Sequence, residues 1–183
     1  MRHALAATLR KRYNHSMKRA LILSLALLLP SPATYAVDDS VIDASGLPLP
    51  RFVSLRSNDA NMRVGPGKQY PIKWHYQRAH LPMEVVEEFG HWRRLRDKEG
   101  ELGWMHKNLL SSGRFVITES EPTLFHIAPR DDASVIIKSG AGVLVYAKAC
   151  ELDWCLLTIQ ERDGWARKSD IWGVYETEQF RDE

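Results

Sequence analysis

The apolar and polar positions of this chain alternate in short stretches, with one exception near its start. Met83-Glu84-Val85-Val86-Glu87-Glu88-Phe89 puts apolar residues at alternate positions and meets Gly90-His91 before Trp92, the pattern of a half-buried strand entering a hairpin. Val143–Cys150 is its more apolar counterpart and predicts a more buried strand. Lys98–Glu101 and Gln160–Gly164 are polar turns leading into Gly103-Trp104 and Gly164-Trp165. No apolar stripe of 3.6-residue period persists, so short strands are expected and long helices are not. The exception is Ala20–Leu29, an apolar run shorter than the roughly 20 residues a bilayer demands. Arg10, Lys11, Arg12, Lys18 and Arg19 precede it, and Pro30, Pro32 and Thr34-Tyr35-Ala36 follow. That order reads as a secretory signal peptide over 1–36, cleaved after Ala36. The alternatives are an uncleaved anchor and a true start at Met17.

Self-comparison finds the chain repeating itself. Asn61–Pro66 returns as Thr123–Pro129, Trp92-Arg93-Arg94-Leu95 as Trp154-Cys155-Leu156-Leu157, and Gly103–Lys107 as Gly164–Lys168. The offsets are 62 for Met62/Leu124, 62 for Trp92/Trp154 and 61 for Trp104/Trp165. A near-constant spacing of three landmarks, two of them the rare Trp, marks two units of about 60 residues, each near the lower limit for an independent core.

In the first unit Asn61-Met62-Arg63-Val64-Gly65-Pro66-Gly67, then Tyr70-Pro71, Trp92 and Gly103-Trp104-Met105-His106, resembles the bacterial SH3 domain family. The second unit resembles it less, with His126 in place of Arg63 and Ala128 in place of Gly65. The resemblance implies an all-β fold of two tandem SH3-like small β-barrels. The organisation expected is a signal peptide (1–36), a Pro-containing linker or edge segment (37–50), domains at 51–112 and 113–175, and a tail (176–183). The short junction at Ser112-Gly113-Arg114 predicts that the two units pack together.

Charge changes the picture once the leader is set aside. The whole chain carries 25 basic and 23 acidic residues, but six of the basic ones and no acid lie in the leader, leaving 19 against 23. The alkaline isoelectric point is therefore no argument for nucleic acid. Residues 51–114 hold 12 basic and 7 acidic side chains, and 115–183 hold 7 and 13, so the mature chain is bipolar. Cys150 and Cys155, a close pair in an exported chain, point to a disulfide across a hairpin.

The site candidates are aromatic and basic. Arg63 and Asn61 sit at a turn that the resemblance places beside the ligand groove, although a purely structural role accounts for the turn's Gly and Pro as well. Tyr70, Trp74 and Tyr76 are the groove candidates of the following connection, and Trp92 and Arg94 those of the hairpin. Trp104 and Trp165 are expected in the core. Arg93, Arg94, Arg96 and Lys98 form a basic face whose simplest explanation is pairing with Glu84, Glu87 and Glu88 across the hairpin. The alternative is anionic wall material. His75, His80, His91 and His106 lack the spacing of a metal site, and no catalytic motif, metal or cofactor is expected. Leu47-Pro48-Leu49-Pro50 is a linker, an edge strand or an internal polyproline ligand. The function the resemblance implies is a non-enzymatic binding module of the cell envelope, periplasmic or secreted, recognising peptidoglycan or an extended peptide or envelope-protein partner. The alternative is a periplasmic scaffold working only through protein contacts. No nucleic acid and no stable membrane span after cleavage are expected.

Overall fold

The computed structural model describes residues 45–181, so the leader lies outside the described residues. The first sheet comprises β1 (Arg51–Leu55), β2 (Ala60–Arg63), β3 (Ile72–Tyr76), β4 (Pro82–Phe89), β5 (Trp92–Arg96), β6 (Leu102–His106) and β7 (Leu110–Ser111), with a 3-10 turn at Lys107–Leu109. Its antiparallel order is β3-β2-β6-β5-β4-β1-β7. The second sheet comprises β8 (Phe115–Thr118), β9 (Thr123–His126), β10 (Val135–Ser139), β11 (Leu144–Glu151), β12 (Trp154–Ile159), β13 (Arg162–Arg167) and β14 (Ile171–Trp172). Its order, β10-β9-β13-β12-β11-β8-β14, is the first path shifted by seven strands. The described residues are all-β, built twice on one plan.

Register refines the repeat. Arg63 faces Trp104 and His126 faces Trp165, so Met62 corresponds to Phe125, one residue beyond the Leu124 that the sequence offset suggests. The physical reason is the inward position: Met62 and Phe125 are both fully buried and Leu124 is not. Phe125 is larger than Met62, and the second core makes room with Ala147 where the first has Val85, and Ala166 where it has Met105. Both long hairpins carry a bulge at the same place, between Val85 and Glu87 and between Ala147 and Ala149.

The Gly-Trp pairs behave differently from the core role expected of their Trp residues. Side chains alternate along a strand, and here Gly103 and Met105 point inward, leaving Trp104 half-buried on the outer face; Trp165 is likewise half-buried between Gly164 and Ala166. A Cβ on Gly103 would come 2.4 Å from Met62 Cγ and 2.9 Å from the Arg63 carbonyl oxygen. The glycine is what lets β2 and β6 approach, and Gly164 does the same against Phe125.

The two sheets belong to one compact body. Phe52 packs edge-on against Trp172 (5.2 Å between ring centres) and obliquely against Tyr175 (4.8 Å), and His80 stacks on Phe115 (4.3 Å). The Tyr175 hydroxyl donates to Glu84 Oε1 at 2.8 Å, and Lys98 pairs with Glu119 at 3.2 Å. The final stretch is held firmly. Phe180–Arg181 forms β15, which pairs with β11 at Cys150 and Ala149. Arg114 bonds Glu178 and lies over the Phe180 ring, 4.4 Å from its centre. The buried Lys168 donates to the carbonyls of Glu176 and Glu178.

Candidate functional site

The turn after β2 is built identically in both units. Val64 N–H donates to Pro71 O, Gly67 N–H to Gly65 O and Tyr70 N–H to Gly67 O; Ile127, Arg130 and Ala133 donate to Ser134, Ala128 and Arg130 in the same way. A side chain staples each turn: Arg63 Nη1 donates to Tyr70 O at 2.8 Å, and His126 Nδ1 lies 2.9 Å from Ala133 O. Neither Gly65 nor Gly67 adopts a positive φ, so the turn uses glycine for space and not for handedness. A Cβ on Gly65 would sit 2.5 Å from the Tyr70 ring. In the second unit Ala133 replaces that ring, which is why Ala128 is tolerated there.

Beside the first turn lies a cleft of about 310 Å³. Asn61 and Arg63 on β2, Lys68 from the turn, Trp92 on β5 and His106 on β6 line it, with Asn108 and Leu109 at its end. A second concavity continues past Lys68 and Trp92 to Phe89 and His91. None of the residues lining either one is acidic. Trp92 stands edge-on to His106 (5.5 Å), which in turn faces His91 (5.9 Å). His106 Nδ1 accepts from Asn108 N–H at 3.3 Å, leaving Nε2 available to donate. Burial of the ring, then the positive charges of His91, Lys68, Lys107 and Arg93, holds His106 below its ordinary value of 6.5.

Three of the residues proposed from the sequence, Asn61, Arg63 and Trp92, meet in this cleft. Tyr70 lies behind the turn, packed on Gly65. Trp74 is exposed on β3 with its indole N–H donating to Glu101. Tyr76 packs against the core, and its hydroxyl donates to Asp97 at 2.6 Å. Burial and that hydrogen bond push its phenol far above the usual range. Arg94 pairs with Glu87, as Arg96 does with Glu84 and Arg93 with Glu88, so the basic hairpin face is matched across the strands. The four histidines of the first unit divide among three places: His75 at Asp59, His80 at Phe115, and His91 and His106 at the cleft. Among the described residues no cluster is suited to a metal ion. Lys68, His106 and Asn108 were not foreseen as partners of Trp92; for His106 the signal was its place in the repeat, where the second unit has Arg167. Residues 45–50 lie away from the cleft, where Ser45 N–H and its hydroxyl donate to Glu88.

The equivalent place in the second unit is filled. Identical turns make Asp131 the counterpart of Lys68, and facing strands make Trp154 and Arg167 those of Trp92 and His106. The Arg167 guanidinium lies over Trp154, 4.7 Å from the ring centre, and Arg167 Nε donates to Asp131 Oδ1 at 2.8 Å with a second, parallel contact from Nη2. Trp154 is buried and Trp92 is not.

A second pair of counterparts lies across the hairpins. Cys150 faces Cys155 and they form a disulfide; in the first unit Glu88 faces Arg93, and Arg93 Nε donates to Glu88 Oε1 at 2.8 Å with both side chains almost wholly buried. Covalent and ionic cross-links thus occupy one position in the two units.

The family profile described as bacterial SH3 domain matches residues 56–112 and 123–173, together more than half of the chain. No curated protein matches it. Among solved structures it is similar to an NlpC/P60 family protein from Bacillus cereus at 13% identity, over 72% of this chain and 57% of that one, with a TM-score of 0.30. It is also similar to NlpC2 from Trichomonas vaginalis at 9% identity, over 70% and 49%, with a TM-score of 0.32. The chain spans about half the length of these structures.

Proposed function

The chain belongs to the bacterial SH3 domain family, and from that premise we propose that it is a non-enzymatic binding protein of the cell envelope whose first unit takes peptidoglycan in the Trp92 cleft. The observation that carries this reading is the contrast between the two units. One leaves a half-exposed Trp beside unbalanced positive charge, and the other covers its Trp with its own guanidinium. A half-exposed aromatic beside polar donors is the usual makeup of a surface that grips an extended, partly apolar chain. In this reading 51–112 is the binding domain, 113–175 its docking companion, and the leader over 1–36 delivers both to the periplasm or the outside. A disulfide between Cys150 and Cys155 suits an oxidising compartment.

The test is sedimentation of the purified protein with intact sacculi at low and moderate salt. The wild-type protein is expected to pellet with the wall, and Trp92→Ala to need at least about tenfold more sacculus for the same fraction bound, the usual effect of removing an aromatic anchor. Failure of the wild-type protein to sediment overturns the proposal in favour of a scaffold that works through protein contacts alone, and sedimentation indifferent to Trp92 overturns the Trp92 cleft as the wall site.

A further inference from the structure

The two clefts share one backbone and differ in what stands on it. In the second unit Asp131 supplies a carboxylate and Arg167 the group that clasps it, with Trp154 as the floor. Two parallel N–H to oxygen bonds make this a strong, oriented pair. The first unit keeps the floor, Trp92, but carries Lys68 where the carboxylate stood and His106 where the guanidinium stood. Lys68 and His106 cannot pair with each other, and the cleft lining contains no acid to balance them. Asn61 and Asn108 add amide donors at the same cleft, and His106 has Nε2 free to donate because Nδ1 is occupied by Asn108 N–H. Every one of these groups offers a hydrogen bond or a positive charge. What the first cleft lacks, and the second supplies for itself, is a carboxylate.

We infer that the first cleft selects a carboxylate-bearing peptide group, held by Lys68 and His106 against Trp92, and that the second is the same site closed from within by Asp131 and Arg167. The inference rests on the reading of the Trp92 cleft as the ligand site and adds the chemistry that site requires. The second unit is then an internal image of the liganded state: its Asp131 marks where the ligand's carboxylate belongs. A carboxylate in a half-enclosed cleft meets donors already in place, so its neutral amide analogue, which cannot use the lysine charge, binds more weakly.

The experiment is a titration of the full chain, isotope-labelled, with three probes: acetyl-trialanine with a free C-terminal carboxylate, its C-terminal amide, and an amide-capped peptide of the same length with a central glutamate. NMR shifts of the Trp92 indole N–H and the His106 ring are the readout. The free acid is expected to shift both, with the neutral amide at least about tenfold weaker. Response to the central glutamate tells a side-chain carboxylate from a terminal one, and either response supports the proposal. The exchange variant Lys68→Asp with His106→Arg, which installs the second unit's pair in the first, is expected to abolish the shifts while the chain stays folded. Lys68→Gln, a milder change, is expected to weaken the acid and leave the amide unaltered. The reverse exchange, Asp131→Lys with Arg167→His, is expected to make the Trp154 indole respond to the acid. Equal binding of acid and amide, absence of any shift at Trp92, or acid binding unaffected by Lys68→Gln overturns the inference. Sedimentation with sacculi separates this from the broader reading: wall binding that persists without any carboxylate preference defeats the inference alone.

Discussion

Replacing Tyr175 with Phe removes a single hydroxyl from the contact between the two units. That hydroxyl donates to Glu84 Oε1 at 2.8 Å, and Glu84 is only 5% exposed. Its other oxygen is held by Arg96 Nε at 2.6 Å, so the variant leaves the carboxylate charged and paired but short of one donor. A hydrogen bond to a charged group contributes roughly 1.5–3 kcal/mol, and the retained ring keeps its packing on Phe52, so the expected loss is about 2 kcal/mol. Urea denaturation followed by tryptophan fluorescence measures it as a lower midpoint at unchanged slope. Glu84→Gln alone and with Tyr175→Phe completes a cycle whose coupling is expected to exceed about 1 kcal/mol. The pH dependence carries a second signature. Burial, then the bond to Glu84, raises the Tyr175 phenol above its ordinary 10.0 in the folded chain. The stability it contributes is therefore complete below pH 10 and is lost as pH rises toward the folded value. The gap between wild type and Tyr175→Phe should narrow on the alkaline side. A loss under about 0.5 kcal/mol at neutral pH, or strictly additive single variants, refutes the reasoning.

Three further outcomes are expected. Replacing Cys150 and Cys155 together by Ala should lower stability by about 2 kcal/mol from chain entropy alone, with faster amide exchange in β11, β12 and β15 and none in the first sheet; an unchanged melting temperature contradicts this. Burial alone would push the Glu178 carboxyl up, but the Arg114 guanidinium holds it below its ordinary 4.5, so its contribution is present above that value and lost as pH falls through the folded one. Glu178→Gln should flatten the acid limb of the melting-temperature profile, and superimposable limbs would count against the pairing. Gly103→Ala should cost about 1–3 kcal/mol in denaturant unfolding, because its Cβ meets the Arg63 carbonyl as well as the movable Met62 side chain; a change within about 0.5 kcal/mol would mean the two strands are free to part.

The alternation at Met83–Phe89, the recurrence of Gly-Trp, and Trp92/Trp154 at fixed spacing were enough to determine an all-β chain built twice from one unit, because strand period and turn chemistry are local properties. The pairing of Arg93, Arg94 and Arg96 with Glu88, Glu87 and Glu84 was legible for the same reason: a hairpin brings sequence neighbours into register. So was the disulfide, on a hairpin of the same kind. Beyond the hairpin, legibility stopped. Tyr70, Trp74 and Tyr76 were indistinguishable as aromatics in one connection, yet one packs on a turn glycine, one stands outside and one joins the core. Trp104 looked like core, and only the inward demand of Gly103 turns it outward. Lys68 and His106 lie far apart along the chain, and their meeting at Trp92 depends on how β2 and β6 close on each other. The same closure sets Asp131 against Arg167. Sequence therefore determined the module and its repetition. Which module stays open was decided by side chains that only tertiary packing brings together, through a charge balance that no local pattern records.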